Sequence, residues 1–192
     1  MSEMKNKIVM LGDSGVGKTS LVTRWIRNSY RPDQAPTIGA AYQQNTVEIR
    51  GEQHKIQVWD TAGEEKYRAM APIYSQGAFG ALVVFDLTRK QSMHNVVDWI
   101  KCLELNGDIP VVVAGNKSDL DSEREVTMEE AIQFVNDIGY TYFETSANNG
   151  SGVDEAFIEL ISQAIDHAGK ETNIPETVNF ENPASSEKSG CC

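Results

Sequence analysis

Residues 12–19 read Gly-Asp-Ser-Gly-Val-Gly-Lys-Thr, the spacing G-x-x-x-x-G-K-[ST], and nothing else in the chain restricts its fold so tightly. The motif follows the apolar run Ile8–Leu11 and precedes Leu21, Val22, Trp25 and Ile26, which share one helical face. That context is a strand, a glycine-rich turn and the start of a helix. Glycines let the backbone of Ser14, Gly15, Val16 and Gly17 wrap closely around an oligophosphate with successive N–H groups pointing inward. The helix start at Lys18, Thr19 and Ser20 adds positive potential. Lys18 is placed to neutralise the β- and γ-phosphates, and Thr19 to offer its hydroxyl to Mg²⁺.

Further apolar runs at Ile56–Trp59, Ala81–Phe85, Val111–Ala114 and Tyr140–Phe143 read as buried strands. Between them lie helical faces: Val96, Trp99, Ile100 and Leu103; Met128, Ala131, Ile132 and Val135; Val153, Phe157, Leu160, Ile161 and Ala164. Strand–helix alternation predicts an α/β fold, a mostly parallel, doubly wound sheet with helices on both faces. Tyr42–Ile49 runs through Arg50-Gly51 into the next strand, which predicts one antiparallel edge strand. The domain is expected over residues 1–167. Residues 168–192, with Pro175, Pro183, Ser185, Ser186 and Gly190 among scattered apolar residues, are expected to be a disordered tail.

Two strand ends carry the remaining chemistry. Ile56–Trp59 terminates in Asp60, a carboxylate suited to hold the magnesium, and Gly63 follows with an N–H for the γ-phosphate. Val111–Ala114 leads into Gly115-Asn116-Lys117-Ser118-Asp119. Asp119 can accept from guanine's ring N–H and exocyclic amine; adenine would leave that carboxylate unpaired, a heavy penalty. Asn116 can tie this loop to the phosphate loop, and the stem of Lys117 can lie on the purine face. A further strand ends at Glu144-Thr145-Ser146-Ala147, whose backbone N–H groups suit the guanine carbonyl. The expected cofactors are therefore GTP or GDP with Mg²⁺.

With these motifs in this order, the chain resembles the Ras-superfamily small GTPases, and among them the Rab family. The resemblance rests also on Ile38-Gly39-Ala40-Ala41-Tyr42, on Trp59-Asp60-Thr61-Ala62-Gly63, and on Tyr74 with Gly77-Ala78. Gly39-Ala40-Ala41 and Ala71-Pro72-Ile73-Tyr74 look most like the early-endosomal branch. The resemblance implies a single P-loop G domain, a monomer, with Tyr30 on the guanine edge and Thr37 on Mg²⁺ and the γ-phosphate. It implies switch segments at about 31–44 and 62–76, held by Thr37 and Gly63 while the γ-phosphate is present. Tyr42, Trp59 and Tyr74 would report nucleotide state to effectors. Exchange factors, a GAP and prenylation or extraction chaperones are the further partners implied.

The terminal Cys191-Cys192 matches the family's double-geranylgeranyl site. One lipid chain gives reversible membrane binding, and the tail lacks a polybasic patch, so both cysteines would carry lipid. The implied location is the cytoplasmic face of intracellular membranes, endosomal by preference, in exchange with the cytosol.

One departure bears on catalysis. The family's water-positioning glutamine is here Glu64, expected as a catalytic position with Lys18 and Thr37. A carboxylate only accepts hydrogen bonds and faces the triphosphate's charge. Exclusion from the site, protonation to a donating acid, and better orientation of water all stay open. Turnover is expected to be slow without a partner, since the first switch has no arginine at an obvious cis-finger position. A hydrolysis-impaired recruitment module that stays GTP-loaded is the competing reading. Asn148 stands where the family has lysine, at the guanine's cover.

Other classes recede. The chain has 192 residues, 17 Lys plus Arg against 28 Asp plus Glu, and a net charge of −11, which disfavours nucleic acid. No apolar run approaches the roughly 18 residues of a membrane span, and MSEMKNK lacks a signal segment. Three cysteines, two of them terminal, exclude a disulfide scaffold. Trp25 and Trp99 read as core, Cys102 as an inert boundary thiol, His54, His94 and His167 as surface residues, and 119–125 as a solvated acidic loop.

Overall fold

The computed structural model describes residues 6–64, 68–104 and 107–171. Six strands, β1 (Lys7–Leu11), β2 (Ala40–Ile49), β3 (Glu52–Thr61), β4 (Gly80–Asp86), β5 (Val111–Asn116) and β6 (Thr141–Glu144), form one sheet in the order β2-β3-β1-β4-β5-β6. All neighbours are parallel except β2 and β3, whose antiparallel register sets Tyr42 opposite Trp59. Every residue of β1, β4 and β5 is buried, as strands covered on both faces require, whereas most of β2 stays open at the edge.

The helices are α1 (Lys18–Arg27), α2 (Ala71–Ser75), α3 (Lys90–His94), α4 (Val96–Glu104), α5 (Met128–Asp137) and α6 (Val153–Glu171). α1 and α6 cover one face, where Leu21, Val22 and Trp25 meet Phe157, Leu160 and Ile161, and Trp25 stacks on Phe157 at 4.2 Å. α2, α3, α4 and α5 cover the other, around Phe85, Met93, Trp99 and Val113. The doubly wound α/β sheet with one antiparallel edge strand is thus as the periodicity predicted.

Three differences stand out. α5 buries Ala131 and Val135 with Phe134 and Ile138 packed alongside, while Met128 and Ile132 are exposed. The stripe turned to the sheet follows i, i+3, i+4, i+7 from residue 131, so it keeps Ala131 and Val135 of the predicted face and is rotated away from Met128 and Ile132. The short helices α2 and α3 were not foreseen, since each is only about one turn long. α6 carries helix through residues 168–171, past the boundary expected at 167. Cys191 and Cys192 lie outside the described residues.

The carboxyl ends of β1, β3, β4, β5 and β6 open onto one rim, where ligands settle in sheets of this kind. Each predicted motif is a loop on that rim.

Candidate nucleotide-binding site

α1 begins at Gly17, which sits at φ 98° with no side-chain cap, and its first turn holds no acidic residue. The first N–H groups of the helix are therefore left to an anion. A Cβ at Gly17 would run into the Asn116 amide, so the phosphate loop and the β5 loop meet too closely for any other residue. A side chain at Gly63 would run into the Lys18 ammonium and the Asp13 backbone, which places the loop after β3 directly over the lysine.

Lys18 is buried and donates to the carbonyl oxygens of Gly12 at 2.7 Å and Asp13 at 2.8 Å. Burial pushes its ammonium down to about 8, against the opposing charges of Asp60 and Asp13. Thr19 donates to Asp60 Oδ2 at 2.6 Å and shares a hydrogen bond with the Thr37 hydroxyl at 2.7 Å; Thr37 reaches the same carboxylate oxygen at 3.4 Å. Burial raises the Asp60 carboxyl, while Thr19, Lys18 and Thr37 pull it back. Its other oxygen, Oδ1, is buried and finds no donor among the described residues. Two hydroxyls and an unpaired carboxylate oxygen form a hard, all-oxygen donor set, which fits a magnesium ion that keeps several waters.

The base end is built by three loops. Asn116 donates to the Val16 carbonyl at 2.8 Å, and its own oxygen accepts from the Ala147 N–H at 3.2 Å and the Thr145 hydroxyl at 3.3 Å. Asp119 accepts from Ser146 at 2.5 Å and from the Asn148 amide at 2.9 Å. Burial works against its charge, yet these bonds hold the carboxyl below the ordinary range. Lys117 has φ 70° and pairs its ammonium with Asp86 at 2.6 Å, which fixes the direction of its stem. Arg124 grips Glu144 with two nitrogens at 2.8 and 2.9 Å, joining the stretch after Asp119 to the end of β6.

The structure brings the predicted residues together. Ser14, Gly15, Gly17, Lys18, Thr19, Ser20, Tyr30, Thr37, Gly63 and Lys117 line one cleft. Ser20, Tyr30, Asn116, Lys117, Asp119, Ala147 and Asn148 line its continuation. Val16 and Ser146 are buried just behind, and Glu64 is half-buried next to Gly63. Tyr42 meets Trp59 edge-on at 6.1 Å outside the cleft, and Tyr74 packs on the same apolar cluster as Trp59.

The model of the Ras family matches residues 7–166. The chain belongs to the Ras family. This Ras-family GTPase is 39% identical over 191 residues to human Ras-related protein Rab-22A, covering 97% of each chain. It is 36% identical over 188 residues to human Rab-31, covering 97% of this chain and 96% of the relative. Against Arabidopsis thaliana RABA2d it is 37% identical over 202 residues, covering 97% of this chain and 93% of the relative. A guanine-nucleotide-binding GTPase of vesicle trafficking follows from that membership.

Sequence reading missed several residues that shape this GTPase's site. Asp13 accepts from Asn95 at 2.7 Å and from the Trp99 indole at 2.8 Å. Arg68 reaches Asp13 at 3.5 Å and lies 4.9 Å over the Trp99 ring. Trp99 is core, as expected, but its N–H also anchors the phosphate loop. Arg89 donates to the Ser14 carbonyl at 2.9 Å, and Arg24 holds the 146–148 loop from α1. All are long-range partners with no local spacing to announce them.

Proposed function

We propose that the protein is a membrane-recruited switch that binds GTP, hydrolyses it slowly to GDP and phosphate, and engages effectors at endosomal membranes while GTP persists. The observation that carries this is the convergence of Thr19, Thr37 and Asp60 on one point beside Lys18, with Asp119 at the far end of the same cleft. Lys18 and the N–H groups of residues 14–19 bind the β- and γ-phosphates, and Asp119 reads guanine, with Asn148 taking the place of the family's lysine. Bound magnesium supplies charge neutralisation on the phosphates, held by Thr19, Thr37 and Asp60. Water attacks the γ-phosphorus, the bond from γ-phosphorus to the β–γ bridging oxygen breaks, and the electron pair leaves with GDP. Glu64 stands at the water-orienting position as an acceptor.

Thr37 and Gly63 tie residues 31–44 and 62–76 to the γ-phosphate, so its loss frees both segments. Ile38 is 85% exposed and Ile73 65% exposed, on the same two segments as Tyr42 and Tyr74. Exposed apolar side chains on the two segments that feel the γ-phosphate suit effectors that bind one nucleotide state. The similarity to Rab-22A and Rab-31 supports the endosomal location. An exchange factor, a GAP, prenylation chaperones and a monomeric state complete the reading.

Single-turnover hydrolysis tests it. The protein loaded with GTP converts it slowly, and Glu64→Gln, which restores a donor and removes a charge facing the triphosphate, speeds conversion about tenfold. Absence of hydrolysis in both forms, even with a GAP, favours instead a recruitment module held in the GTP state.

A further inference from the structure

Arg24 lies on the polar side of α1, a full element away from the loop assigned to the guanine, yet two of its three guanidinium nitrogens donate there. Nε donates to the Ala147 carbonyl at 2.8 Å and one terminal nitrogen to the Asn148 carbonyl at 2.5 Å. The other terminal nitrogen donates to the Asn28 carbonyl at 3.2 Å and side-chain oxygen at 3.1 Å. Asn28 ends α1 in the left-handed region at φ 46°, which brings its oxygens within reach of the arginine. The guanidinium is thus a rigid bridge from the end of α1 to two consecutive carbonyls of the base loop.

We propose that Arg24 is the positioning residue that sets guanine discrimination in this protein. Holding the Ala147 and Asn148 carbonyls fixes two peptide planes, because each peptide is planar and its C=O and N–H point in opposite directions. The Asn148 N–H is therefore directed away from Arg24. Fixing the backbone at 147–148 also fixes the two donors that orient the base-reading carboxylate, Ser146 at 2.5 Å and the Asn148 amide at 2.9 Å from Asp119. The Asn148 contact matters especially here, since a short amide side chain reaches Asp119 only while its own backbone is held close. A lysine cannot replace Arg24, since one ammonium on a flexible stem cannot span two carbonyls in a fixed plane. The hydrogen bonds of Arg24 go to Asn28, Ala147 and Asn148, so it acts on the base through Ser146, Asn148 and Asp119.

The inference rests on the reading of Asp119 as the guanine-recognising group, and the test separates the two. GDP and IDP, which differ only in the exocyclic amine that Asp119 accepts from, are compared by dissociation rate and affinity in the full chain with Mg²⁺. Wild type holds GDP more tightly than IDP. Arg24→Ala and Arg24→Lys both release GDP about tenfold faster, and their GDP-to-IDP affinity ratio falls several-fold toward one, the loss of two charge-assisted hydrogen bonds. The melting temperature of each variant is measured alongside. A general loss of fold lowers GDP and IDP binding together and leaves the ratio intact, so an unchanged ratio in both variants overturns the inference, as does full rescue by lysine. A wild type that does not distinguish GDP from IDP overturns the reading of Asp119, and the inference with it.

Discussion

At the scale of the residue, the buried lysine carries a measurable consequence. Lys18 titrates near 8 in the folded chain rather than at its ordinary 10.5, because burial disfavours its charge. Below pH 8 the ammonium is already present for the phosphates. Above it, binding must first take up a proton, so affinity falls, by up to about tenfold per pH unit while the bound form keeps the proton. For the nucleotide-free chain the sign is opposite, since between about 8 and 10.5 the folded state holds fewer protons than the unfolded and gains stability as pH rises. GDP titrations at pH 7, 8 and 9 should show a flat segment and then a decline; constant affinity to pH 9 would place the phosphate charge on another cation. Asp60 is the complementary case: a carboxylate raised by burial, with one oxygen unpaired, gains most from a divalent cation.

At the scale of the element, what matters is how strand ends are held relative to one another. Arg124 and Glu144 have side chains only 20% and 14% exposed, and their two-point contact ties the loop after β5 to the end of β6. Arg124→Ala leaves that carboxylate only the long contact from the Tyr142 hydroxyl at 3.5 Å and should cost about 2 kcal/mol, lowering the melting temperature by about 5 °C and speeding GDP release. An unchanged melting curve would mean that the two loops are held by other contacts. This is also the scale at which the sequence was partly readable. Continuous apolar runs declared β1, β4 and β5, because strands covered on both faces have no polar residues to alternate. The glycine spacing, Asp60, Asn116 and Asp119 declared the cleft, because phosphate, metal and base each demand particular atoms at strand ends. Of the face read on α5, Ala131 and Val135 are buried, while Met128 and Ile132 are apolar residues left in solvent that periodicity cannot tell from them. Arg24, Arg68, Asn95 and Trp99 were invisible as site residues. Arg24 and Ala147 lie 123 positions apart, and Asp13 and Trp99 lie 86 apart, so only the fold brings them together.

At the scale of the whole molecule, the proposed function asks for a membrane attachment, which we assign to lipid on Cys191 and Cys192. No helix among the described residues is long and apolar enough to cross a membrane. On that proposal a single lipid chain would bind only reversibly, and the acidic tail adds no attraction to anionic lipid, so both cysteines would carry one. Cys191→Ser or Cys192→Ser should each leave one chain by mass spectrometry and shift the protein substantially to the cytosol; full membrane retention with one chain would point to another anchor. Everything else depends on what the cleft holds. The most direct measurement is the identity of nucleotide retained by the purified full-length protein in magnesium, followed by competition with GDP, GTP and ATP. GDP or GTP retained at near-equal molarity, displaced by guanine nucleotides and untouched by excess ATP, is the expected result; displacement by ATP, or no retained or added nucleotide bound at all, would contradict it.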